Sequence, residues 1–429
     1  VQGAGNASGG SGRFFPHRIA LSLAWAHALG FVMKVDLTCP ESRKALAAFY
    51  RSQLLEGVMP FWLRHGMDRE HGGIFTVLDR DGGLVDSDKS VWFQGRAGWM
   101  FSSLHLAGLP GADWLEAARS CVEFSRLHAH GPEGKMYFTL TREGAPLRMR
   151  RYVFSESFAA IAYAAFHRAQ GDGPWAQEAE RAAERFFAHS FEPGLMPPKD
   201  EPTRPLKSLS PRMIGIATAQ ELRLHLGEVE LCGKSCTQWI SELIEEVRRD
   251  FLKPGEQALM ENVAADGSLV DAAEGRLLNP GHAIECAWFI LREGRLRNDA
   301  AMTELGLNIL RWSWARGWDR QHGGLLYFCD LRDKPVQEYW HDMKFWWPHC
   351  EALIASAMAW RFTGLAEFAA MHRQVHEWSF AHFADAEHGE WFGYLHRDGS
   401  RSSSLKGSLW KGPFHLPRAL WMLTELLAD

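Results

Sequence analysis

The chain has 429 residues, 46% of them hydrophobic, and a formal net charge of −5. That length can bury a large core, and the lack of any long Lys or Arg run excludes the electrostatic footprint of a nucleic-acid binder, so a small polar or neutral substrate fits better. Seven cysteines are too sparse for a disulfide scaffold and suit a reduced, cytoplasmic protein; Cys232 and Cys236 lack a second close pair, so no metal site is expected.

Residues 1 to about 40 read as an unstructured extension. Positions 1–12 are rich in Gly and Ser, and Asp36 is the first acidic residue. The apolar run from Ile19 to Met33 is interrupted by His27 and falls short of the roughly 20 residues a membrane span needs, so no membrane association is expected. Residues 41–429 then read as one domain.

Along that domain, Asp68-Arg69-Glu70-His71-Gly72-Gly73-Ile74-Phe75 leads into a turn rich in Asp and Arg and predicts a short β-hairpin. Trp114 to Leu127 follows with apolar residues at spacings of three and four, the mark of a helix. Met136 to Gly144 is a weaker hairpin, Trp175 to His189 a helix, and Trp239 to Phe251 another. Leu259 to Gly267, Asp319 to Tyr327 and Asp385 to Phe392 repeat the hairpin pattern. The hairpin centres Phe75, Phe138, Met260, Tyr327 and Phe392 are 63, 122, 67 and 65 residues apart, which implies one period of about 64 with one unit concealed. The concealed hairpin falls in the Pro-rich stretch Phe191 to Ser208, expected to pair poorly. Two helices and a hairpin fill each period, and six such units predict an all-α (α/α)6 barrel of helical hairpins.

In such a ring the inner helices run parallel, so their positive N-terminal ends surround one mouth. The expected starts lie near Gly95, Ser155, Pro211, Pro280, Trp346 and Pro417. Each has polar company: Arg96, Glu156, Arg212, His282 with Glu285, Glu351, and His415 with Arg418. These six groups are expected to converge on one cavity.

Asn279-Pro280-Gly281-His282-Ala283-Ile284-Glu285 reads as a capped helix start, with Glu285 on the face of His282. Lys411-Gly412-Pro413-Phe414-His415-Leu416-Pro417-Arg418 repeats the arrangement. At both, the helix dipole is expected to keep the imidazole neutral and available as a base. Read structurally, Glu351 in Trp346-Trp347-Pro348-His349-Cys350-Glu351 and Arg96 in Trp92-Phe93-Gln94-Gly95-Arg96 would form a buried ion pair; read functionally, Arg96 would polarise a carbonyl oxygen.

These segments, with Asp342 to Ala352 and Glu390-Trp391-Phe392-Gly393-Tyr394-Leu395, closely resemble the N-acylglucosamine 2-epimerase family, whose mammalian members are also known as renin-binding proteins. The resemblance runs from about Ser42 to the C-terminus. It implies an (α/α)6 barrel, a cytosolic homodimer, and reversible C2 epimerisation of N-acetyl-D-glucosamine and N-acetyl-D-mannosamine in amino-sugar and sialic acid metabolism. It also implies ATP or another nucleotide as an activator that is not consumed, and a renin-binding role. By motif position the family's functional residues fall on Arg96, His282, Glu351 and His415, with Glu285, Arg418, Trp346 and Trp347 around the substrate. Two features depart from the family: Pro413 replaces a Cys of mammalian members, and residues 1 to about 40 match nothing. No Gly-rich Lys motif places the nucleotide.

Two rivals stand beside this reading. An aldose–ketose isomerase or a disaccharide epimerase on the same barrel would use much the same histidines, and a renin-binding protein would need little catalysis.

Overall fold

A computed structural model describes residues 34–428 apart from 112, 151, 198 and 199. The extension expected over residues 1–40 therefore lies mostly outside the described residues; packing is already under way at Val35 and Leu37, both buried. Among the described residues no helix is long and apolar enough to cross a membrane.

Among the described residues, twelve longer helices alternate between an outer and an inner ring. The outer helices are α1 (Pro40–Ser52), α3 (Trp114–His128), α5 (Trp175–Phe191), α7 (Cys236–Glu246), α9 (Ala300–Gly317) and α11 (Ala366–His382). The inner helices are α2 (Val91–Leu106), α4 (Phe154–Gln170), α6 (Leu209–Leu226), α8 (Pro280–Arg297), α10 (Trp346–Thr363) and α12 (His415–Leu427). Each inner helix packs on the next. The ring closes where Trp99 of α2 meets Phe414 and Trp421 at 5.4 and 6.3 Å between ring centroids. The fold is the (α/α)6 barrel that the repeat predicts.

Outer helices have one apolar face and inner helices are buried nearly all round, so the sequence marks their starts differently. Trp114 and Trp175 begin their helices as expected. The helix expected from Trp239 begins at Cys236, set by a capping box between Ser235 and Gln238. Pro280 and Trp346 open their inner helices as read, whereas the helix placed near Gly95 starts at Val91. An inner helix lacks the polar stripe that would date its first turn.

The hairpins are less self-contained than expected. Lys89–Ser90 pairs with Thr139–Leu140 of the next unit, Leu277–Leu278 with Cys329–Asp330, and Lys344–Phe345 with Tyr394–Leu395. The Pro-rich stretch pairs too: Leu206–Ser208, which contains no proline itself, aligns with Asn262–Ala264.

One clasp recurs. The Asp that opens a strong hairpin is buried and binds a buried Lys of its own unit and an Arg from a neighbouring one. Asp68 takes Lys89 (2.9 Å) and Arg142 (2.9 Å), Asp319 takes Lys344 (3.0 Å) and Arg397 (2.8 Å), and Asp385 takes Lys406 (3.1 Å) and Arg80 (2.7 Å). Burial opposes ionisation of each Asp, but the Arg and Lys partners outweigh it and hold all three well below the usual carboxylate range.

Between α1, α10 and α11, the Tyr50 hydroxyl lies 3.0 Å from His372 Nε2 and 2.6 Å from His376 Nδ1. Burial pushes His372 down to about 4, and burial with neighbouring His372 pushes His376 down to about 3. Both rings stay neutral in the folded state while the unfolded chain protonates near pH 6.5. The contribution of these two rings to stability is therefore flat above about pH 7 and falls as pH drops from about 6.5 toward 4, each ring adding about 1.4 kcal/mol per pH unit. Unfolding midpoints from pH 8 to 4.5 should show this, and His376→Asn should flatten the slope; an unchanged slope would place the acid-sensitive groups elsewhere.

Candidate active site

Four inner helices bring their first turns together. Apart from α8, capped by Asn279 on the His282 amide, the inner helices begin without a side-chain cap, so first-turn N–H groups add positive potential at the mouth.

Glu351 of α10, fully buried, is the centre of the cluster. Its Oε1 accepts hydrogen bonds from His415 Nδ1 (2.7 Å) and Arg418 Nη2 (2.6 Å), and its Oε2 from Trp288 Nε1 (2.8 Å). Arg418 Nη2 also reaches Glu285 Oε1 at 2.8 Å. Burial works against its charge, yet Glu351 and Glu285 raise its pKa further. Arg418, not Arg96, is the ion-pair partner of Glu351. Glu285, Glu351 and His415 lie close enough to share a cation, and the Arg418 guanidinium supplies that positive charge.

The two histidines differ. Burial, then the cations of Arg96 and Arg418, hold His415 well below the usual imidazole pKa. With Nδ1–H donated to Glu351, Nε2 is left as the basic nitrogen. The helix start is expected to keep His282 neutral as well, but its carboxylate neighbours act in the other direction. Burial lowers its pKa, but Glu261, with both carboxylate oxygens 3.0 and 3.1 Å from Nδ1, outweighs it and, with Glu285, raises the net value.

Trp347 neighbours both, its ring 5.2 Å from that of His282 and 5.8 Å from that of His415. Gly281 makes room, since a Cβ there would stand 2.6 Å from Trp347. Trp346 is buried, 6.1 Å from the His415 ring. Arg96 stacks over Phe158 (4.2 Å) and Phe414 (5.0 Å) and donates from Nη1 to the Trp410 carbonyl at 3.3 Å. Its Nε is buried without a hydrogen-bond partner, and burial pushes its pKa down to about 10. A cavity of about 450 Å³ opens on Arg96, Glu285 and Arg418 and continues to Glu221 and His225, near the far end of α6.

The other two expected members do not join. Glu156 accepts from the Met136 amide at 2.8 Å, and Arg212 pairs with Glu246 at 3.0 Å. Glu156 thus serves a hairpin and Arg212 an outer helix. Glu261 was missed in the sequence; the signal was an acidic residue directly after the apolar run Ala258-Leu259-Met260.

The model of the family "N-acylglucosamine 2-epimerase (GlcNAc 2-epimerase)" matches residues 73–416. N-acylglucosamine 2-epimerase of Bos taurus is 38% identical over 87% of this chain and 89% of its own, and that of Homo sapiens 36% identical over 87% and 88%. The structure of cellobiose 2-epimerase from Bacillus thermoamylovorans superposes with a TM-score of 0.77 at 18% identity, covering 89% of this chain and 99% of that one. The chain thus belongs to the N-acylglucosamine 2-epimerase family and is an isomerase.

Proposed function

We propose that the protein interconverts N-acetyl-D-glucosamine and N-acetyl-D-mannosamine, serving amino-sugar and sialic acid metabolism as a cytoplasmic homodimer activated, without turnover, by ATP or another nucleotide. The observation that carries the chemistry is the pair of imidazoles packed against the one Trp347 ring, one pushed toward its neutral form and one made more basic. In the open-chain sugar the C2 hydrogen is α to the aldehyde. One imidazole removes it, the Arg96 guanidinium stabilises the enolate oxygen, and the other imidazole returns a proton to the opposite face. Glu351 and Glu261 orient the two rings through Nδ1, and Glu285 holds Arg418 in place. Support for the substrate comes from the bovine and human relatives, which bear that name.

The test is incubation with N-acetylmannosamine, mannose and cellobiose in parallel, with and without ATP, followed by separation of epimers and assay of phosphate. N-acetylglucosamine should form from the first, faster with ATP and without phosphate release. Conversion of only mannose or cellobiose would overturn the assignment in favour of an isomerase or disaccharide epimerase on the same barrel.

A further inference from the structure

The third strong hairpin breaks the repeat's pair of glycines. Where the first and second have Gly73 and Gly324, it has Glu390. All three adopt positive φ, +72°, +70° and +52° respectively, a conformation that favours glycine. A side chain is thus held there against the backbone's preference, which points to a role for its carboxylate.

In the first hairpin the next backbone amide, that of Ile74, is bonded by Gln94, fourth residue of α2 (2.8 Å); in the second, that of Leu325 is bonded by His349, fourth residue of α10 (2.9 Å). The fourth residue of α12 is Arg418, which turns to Glu285 and Glu351 instead. Glu390 fills the gap, its Oε1 accepting from the Trp391 amide at 2.9 Å. The same oxygen takes Lys411 Nζ at 2.7 Å, and Oε2 takes Trp62 Nε1 at 2.6 Å. Lys411 also donates to the Lys406 carbonyl at 2.9 Å, and both Glu390 and Lys411 are buried. Lys411 sits four residues before His415, on the strap that also carries Trp410, whose carbonyl receives Arg96, and Phe414, on which Arg96 stacks.

We infer that Glu390 and Lys411 are a positioning pair: they seat the strap 406–414, so that His415 and Arg96 meet the substrate in register, and they relieve Arg418 of the hairpin duty its counterparts perform. The inference rests on the two-histidine reading above.

The test uses E390Q/K411M, which removes both buried charges yet keeps an amide oxygen for the Trp391 amide; such neutral replacement of a buried pair leaves stability close to wild type. On whichever sugar the enzyme turns over, kcat should fall about 10-fold or more with KM within about twofold. In deuterated water, C2–H exchange should be lost mainly for the same epimer that His415→Asn loses. Unchanged kcat, or equal loss of exchange for both epimers, overturns the pair's role. If His415→Asn itself shows no epimer preference, the two-histidine reading fails, and kcat of the double variant alone decides the pair. Should that variant not fold, Lys411→Arg, which keeps the charge but shifts it, should lower kcat at wild-type Tm; wild-type kcat there overturns the inference.

Discussion

His415→Asn and His282→Asn should each lower complete epimerisation about 10²-fold or more while leaving half of the reaction intact. Asparagine keeps size and some hydrogen bonding but carries no transferable proton at neutral pH. Both rings neighbour Trp347, and on the proposed mechanism each serves one face of C2. In deuterated water, one variant should still exchange the C2 hydrogen of one epimer and the second variant that of the other, with little conversion in either. The unequal settings add a pH signature. His415 is held toward the neutral form and acts as the base while His282, raised by Glu261, donates the proton, so in that direction the alkaline limb of activity follows His282 and its partner Glu261. Glu261→Gln should move that limb to lower pH, because removing the carboxylate removes what raises the imidazole. Exchange of the same epimer by both histidine variants would favour a single base that swings between faces.

Arg418→Met should cost about 3–5 kcal/mol of stability and abolish turnover. The guanidinium is the cation bonded to both Glu285 and Glu351, and all three are buried. Without it two carboxylates face each other away from water, and Glu351 can no longer hold His415 Nδ1 undisturbed. Glu285→Gln in the same background should recover part of the stability by removing one of the opposed charges, but not the activity. Thermal unfolding of the single and double variants measures this; an unchanged Tm in Arg418→Met would show that another group neutralises the cluster.

The sequence displayed the barrel because its repeat is carried by short, local signals: an Asp, a His and a glycine turn at a period of about 64. His282, Glu285 and His415 were legible for the same reason, each lying in or beside a helix start with its own proline. Long-range partnerships were not. Arg418 joins Glu285 across 133 residues, and Glu261 reaches His282 from a hairpin segment read only as structural. Arg96 could be assigned to Glu351 by charge alone, but its helix turns it onto Phe158 and Phe414 instead. Glu390 was visible as a broken repeat, yet the Lys411 and Trp62 contacts that explain it exist only in the closed ring.

That closure has a consequence for how the protein comes to be made. Arg80 must find Asp385 across 305 residues, and Tyr50 and Trp62 find His376 and Glu390 across 326 and 328. At a synthesis rate of about 5–20 residues per second, the first unit waits roughly 15–60 s on the ribosome for the last. During that interval the inner helices already made, apolar nearly all round, have a ring with one side missing. The nascent chain is therefore an open horseshoe with a sticky inner wall, and it is the client state that chaperones must shield until the final unit emerges and the horseshoe shuts.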